Sequence, residues 1–110
     1  MWIFTETGFV SAVKNTEHEG KYSVRARDKE SLAGLIESTG AELIVTSHTD
    51  YPYRVIITPG EFIKWVNDQA STIDYPNFKS RVSQTRGYEY VDALHDVWLA
   101  MLKTQRSPLL

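Results

Sequence analysis

The sequence predicts an α+β fold, a mainly antiparallel sheet of about five strands with its helices gathered on one side. Three observations carry that prediction. The first half of the chain holds short stretches of period-2 alternation, as in K-Y-S-V-R-A-R (21–27). Capping and terminating residues, Gly40 and T-P-G-E (58–61), punctuate segments of helical period. The resulting order, β-β-β-α-β-β-α-α-α, contains a β-α-β-β-α portion that fits most of a split-βαβ, ferredoxin-like unit.

Each element has its own signal. W-I-F and F-V-S-A-V flank T-E-T-G, so residues 2–14 read as an N-terminal β-hairpin turning near Gly8. The polar tract N-T-E-H-E-G (15–20) is a loop, and residues 21–27 form a third strand. Asp28 caps a helix carrying Leu32, Leu35 and Ile36, which ends at Gly40. A-E-L-I-V-T (41–46) and Y-R-V-I-I-T (53–58) are strands around the turn S-H-T-D-Y-P. Thr58 as N-cap, Pro59 at the first helical position and Glu61 make a capping box. The helix it opens should bury Phe62, Ile63, Trp65, Val66, Ala70 and Ile73. D-Y-P-N-F-K-S-R-V (74–82) begins a shorter helix in which Asp74 is the expected cap. The last helix, 88–103, should bury Val91, Leu94, Trp98 and Met101 or Leu102.

At 110 residues, the chain reads as a single domain over 1–105 with a frayed tail at 106–110. It has no cysteine, which removes disulfides and thiolate chemistry and suits a cytoplasmic protein. No signal-peptide pattern and no membrane-spanning run is visible. Twelve basic against fourteen acidic residues argue against a nucleic-acid partner, although a local basic face remains compatible with that balance.

W-I-F-T-E-T-G-F-V-S-A-V, V-R-A-R-D-K-E-S-L, D-Y-P-Y-R-V, I-D-Y-P-N-F-K and A-L-H-D-V-W-L-A-M together span nearly the whole chain. With these stretches the sequence resembles a family of small bacterial proteins also encoded by phages of actinobacteria. The resemblance implies a stand-alone cytoplasmic domain, a phage accessory protein acting inside the host. It brings with it no catalytic residue and no ligand.

The candidate chemistry is therefore read from the residues. In a strand, Arg25 and Arg27 project to one side about 6.5–7 Å apart. Arg54 should share that side if Tyr53, Val55 and Ile57 face the helices. Two readings follow. The preferred one places the arginines under the C-terminal helices, paired with Glu89, Asp92 or Asp96. The other makes them a site for a small anion or nucleotide.

Ser47, His48 and Asp50 are close in sequence, but no nucleophile elbow accompanies them, and they read as a hairpin loop. His18, His48 and His95 lack metal-ligand spacing, and His95 is expected to bond Asp92 one helical turn away. Asp74, Tyr75, Asn77 and Lys79 read chiefly as capping and packing groups. Tyr51, Tyr53, Tyr75 and Lys79 are candidates for contacting a partner. The function expected is a non-enzymatic interaction protein that binds a host protein or a second copy of itself. Anion or nucleotide binding through Arg25, Arg27 and Arg54 is the alternative, and a small nuclease or phosphoesterase ranks third. No cofactor, metal or catalytic residue is expected.

Overall fold

A computed structural model of the chain describes residues 1–105. The expected tail at 106–110 lies outside them. The chain divides into two compact units, the first covering Met1–Asp74 and the second beginning at Tyr75.

The first unit is a five-stranded sheet with two helices. Its strands are β1 (Trp2–Thr5), β2 (Gly8–Lys14), β3 (Tyr22–Ala26), β4 (Ile44–Val45) and β5 (Tyr53–Ile57). They lie side by side as β1-β2-β3-β5-β4, and every neighbouring pair is antiparallel. The α+β class is as the sequence predicts. Helix α1 (Glu30–Thr39) follows β3, and α2 (Pro59–Ser71) follows β5.

Alternation decides which side each strand buries. Val10, Ala12, Val24, Ala26, Val55 and Ile57 all project to one face, where Leu32 and Leu35 of α1 and Phe62 and Trp65 of α2 complete the core. The opposite parity, which we call the second face, carries Ser11, Arg25 and Arg54. Phe62 lies edge-on to Tyr22 at 5.8 Å and stacks on Trp65 at 6.0 Å.

The helix ends follow their sequence signals closely. Glu61 donates its backbone N–H to the Thr58 hydroxyl at 3.1 Å, and the Glu61 carboxylate accepts from the Thr58 N–H at 2.9 Å. Gly40 closes α1 at φ 70°, with its N–H on the Ile36 carbonyl. Asp28 accepts from the backbone and the hydroxyl of Ser31 although α1 begins at Glu30, and Ser31 Oγ accepts from the N–H of Phe9 in β2.

Several boundaries differ from expectation. The hairpin turns at Glu6–Thr7, and Gly8 already pairs with Thr5. The strand expected over 41–46 keeps only Ile44 and Val45. Thr46 donates to the Pro52 carbonyl at 2.7 Å, but Pro52 has no N–H to return, so the ladder stops there. In α2 the buried stripe is narrower than its composition suggests, with Ile63 and Ala70 exposed, and Ile73, also exposed, lies beyond the helix end.

The second unit is a pair of helices, α3 (Phe78–Arg86) and α4 (Tyr88–Leu102), with only Gly87 between them. Asn77, not Asp74, caps α3, accepting from the Ser80 N–H at 2.9 Å. Pro76 explains the shift, because the residue before a proline is held out of the helical region. Val82 and Leu94 are buried, but Trp98, Met101 and Leu102 are exposed, against expectation. Length accounts for this. The nine residues of α3 can flank only about the first nine of α4, and the run from Val97 to Leu102 continues past them.

Candidate anion site on the second sheet face

Strand pairing aligns one transverse row across this face. Trp2 is opposite Ser11, Ser11 opposite Arg25, Arg25 opposite Arg54, and Arg54 opposite Ile44. Two arginines thus occupy directly facing positions on the neighbouring strands β3 and β5. Like charges placed so are destabilising unless something offsets them.

Arg27 stands one residue past the end of β3, at the bend leading to α1. It still joins the same cluster through Tyr51. The guanidinium of Arg25 lies 4.6 Å from the centre of the Tyr51 ring and that of Arg27 lies 4.9 Å from it. Each such contact is worth about 0.5–1 kcal/mol where water reaches it. The Tyr51 ring also approaches Phe9, at 6.4 Å.

The hydrogen bonds of the three arginines go to neutral oxygens. Arg25 Nη2 donates to the buried Ser11 hydroxyl at 2.7 Å. Arg27 Nη1 donates to the Asp50 carbonyl at 2.7 Å. Arg54 Nη2 donates to the Tyr51 carbonyl at 3.2 Å and the Thr49 hydroxyl at 3.4 Å. The turn is braced further by Thr49 Oγ1, which donates to the carbonyls of Tyr51 and Thr46. Arg25 Nε and Arg54 Nε are buried and make no hydrogen bond. A guanidinium has five N–H donors, so much of the donor capacity here is unused.

The expected ion-pair layer with Glu89, Asp92 or Asp96 would have to join the two units; within the first unit the arginines take other partners. None of the three arginines pairs with a carboxylate among the described residues; their partners come from Ser11, Thr49, Asp50 and Tyr51. What forms is a positive patch held by hydroxyls, carbonyls and one aromatic ring.

The proposed partner-contacting residues are not brought together as a group. Tyr51 belongs to the arginine cluster. Tyr53 sits opposite Ala26 on the core-facing parity, half-buried, with Lys29 Nζ 5.8 Å from its ring. Tyr75 and Lys79 belong to the helical unit. There Tyr75 meets Phe78 at 6.1 Å and the Arg81 guanidinium at 5.0 Å. Lys79 Nζ lies 3.3 Å from His95 Nδ1 and 5.3 Å from the Trp98 ring. His95 stacks on Trp98 at 5.6 Å and approaches Lys79 in place of the expected bond to Asp92. Ser47 and His48 share no hydrogen bond, and the run to Asp50 is a turn.

Sequence reasoning missed the aromatic side of this face. Phe4 stacks on Phe9 at 4.5 Å, and Trp2 meets Phe9 edge-on at 5.8 Å. The signal was available: Trp2 and Phe4 alternate in W-I-F, and the two-residue turn places Phe9 opposite Phe4. A separate apolar pocket of about 320 Å³, lined by Met1, Ala12, Val13, Lys14, Tyr22, Phe62 and Ile63, has Lys14 as its one charged side chain.

Among the described residues no group of three or more acidic or histidine side chains is arranged to hold a metal ion, and no helix is long and apolar enough to cross a membrane. Comparisons with protein-family models, with curated proteins and with solved structures gave no match to the chain.

Proposed function

We propose that this is a non-enzymatic binding protein that takes up an anionic ligand on the second sheet face, through Arg25, Arg27 and Arg54. One observation carries the reading: Arg25, Arg27 and Arg54 gather around Tyr51, and among the described residues of the first unit no carboxylate pairs with them. A phosphate or carboxylate group satisfies the spare donors with charge-assisted, bidentate geometry and relieves the repulsion between Arg25 and Arg54. Thermal unfolding against phosphate, pyrophosphate and nucleoside triphosphates tests it. At about a hundred times the dissociation constant, the ligand should stabilise the fold by ~2.7 kcal/mol. If none of these anions raises the unfolding temperature above that of a chloride control at matched ionic strength, the proposal fails.

A second reading, capture of a host protein or of a second copy, is favoured by α4. Trp98 is 56% exposed, Met101 58% and Leu102 48%, beside exposed Val97 and Leu99. An apolar surface of this kind marks interaction sites. Light scattering should show a concentration-dependent dimer that Trp98→Glu abolishes; a monomer at every concentration removes self-association from this reading.

A further inference from the structure

We infer that the anion recognised on this face is single-stranded nucleic acid, an inference that rests on the anion-binding reading above. The second face is not basic alone. Its arginines adjoin the rings of Trp2, Phe4 and Phe9, and Tyr51 links the two sets. Trp2 is 69% exposed on the edge strand β1, where a flat apolar ligand can reach it.

A phosphate alone has no use for such rings, and an acidic peptide needs no stacking platform. A single-stranded oligonucleotide uses both parts: its bases stack on aromatic faces while its backbone runs past cations. Trp2 and Phe4 are two residues apart in β1, so their Cα positions repeat at about 6.5–7 Å on one face of the strand. Exposed Trp2 can take a base on its ring, while the Phe4–Phe9 stack beside it extends the apolar platform for the next one. The row from Trp2 through Ser11 to Arg25 and Arg54 then leads from a base-stacking edge to the phosphate-binding centre.

A duplex does not fit this scheme, because its bases are already stacked and their faces hidden. The whole chain's net charge of −2 counts against nucleic-acid binding by the molecule at large, but not against binding at a local basic face. Net charge is an average, whereas the field a ligand meets is set by the local cluster.

Anisotropy titrations of labelled oligodeoxythymidylate and oligouridylate, each about ten nucleotides long, test the inference on the full chain. Unlabelled duplex, inorganic pyrophosphate and polyglutamate serve as competitors. Binding should weaken with salt, with a log–log slope of about −2 for three phosphate contacts. Trp2→Ala should weaken it about tenfold. Arg27→Gln, at an exposed position, should reduce the slope by about 0.7. The DNA and RNA arms decide which sugar is preferred.

Oligonucleotides that bind no more tightly than pyrophosphate, with Trp2→Ala unchanged, overturn the inference and leave the anion reading standing. Duplex or polyglutamate competing as well as the single strand also overturns it. If pyrophosphate and oligonucleotides both fail to bind, the two proposals fall together. Far-ultraviolet circular dichroism of each variant separates lost contact from lost fold.

Discussion

Arg25 and Arg54 face each other across the ladder, and each keeps a buried Nε without an acceptor. A buried donor left unsatisfied costs roughly 1–3 kcal/mol. Such groups are few in native folds, and each calls for an explanation in strain, function or an ordered water. Tyr51 offsets part of the cost by spreading its ring beneath two guanidiniums. Arg54→Gln relieves the repulsion but forfeits the hydrogen bonds to the turn, so its unfolding temperature should change little. Its response to pyrophosphate should fall sharply. A variant that unfolds much earlier yet keeps the full response would show Arg54 to be a loop anchor only.

At the scale of elements, the capping box of α2 makes the sharpest claim. The Glu61 carboxyl is held below its ordinary value of 4.5, first by the Thr58 backbone N–H and then by the Thr58 hydroxyl. A carboxyl with a depressed folded-state pKa stabilises above its unfolded value, and that contribution is lost as pH falls through the folded value. The stability gap between wild type and Glu61→Gln should therefore be widest above pH 4.5 and close in more acidic solution. Thr58→Ala should cost about 1 kcal/mol, or roughly 4–8 °C in a unit of this size. A gap that persists unchanged into acid would mean that the carboxylate is not what holds the cap.

The T-P-G-E signal was legible because a capping box is local: every partner lies within three residues. The side taken by Arg25 and Arg54 was legible for the same reason, since alternation in a strand needs no knowledge of the rest of the chain. Three features were not. Tyr51 reaches the arginines because the turn before Pro52 redirects the chain, and a turn has no period from which to read direction. The short β4 depends on which residue faces Pro52, which is a matter of register. The exposed end of α4 depends on the length of α3, and no pattern within α4 encodes that.

For the whole molecule, the sheet unit assigns its two faces different work. One is closed by α1 and α2 over Leu32, Leu35, Phe62 and Trp65. The other carries rings at one edge and, on β3 and β5, two arginines that pair with no carboxylate among the described residues of this unit. A small domain has little stability to spare, and an anion bound at the proposed site would relieve the repulsion between Arg25 and Arg54.

The most direct measurement is nitrogen–proton NMR of the arginine Nε–H groups during a pyrophosphate titration. Arg25 and Arg54 should give sharp signals, since their Nε–H protons are shielded from water. These signals, the Arg27 Nε–H and the Tyr51 amide should shift together and saturate with one dissociation constant, while the amides of α4 stay in place. Arginine signals that do not move, or saturable shifts confined to other residues, would contradict an anion site on this face.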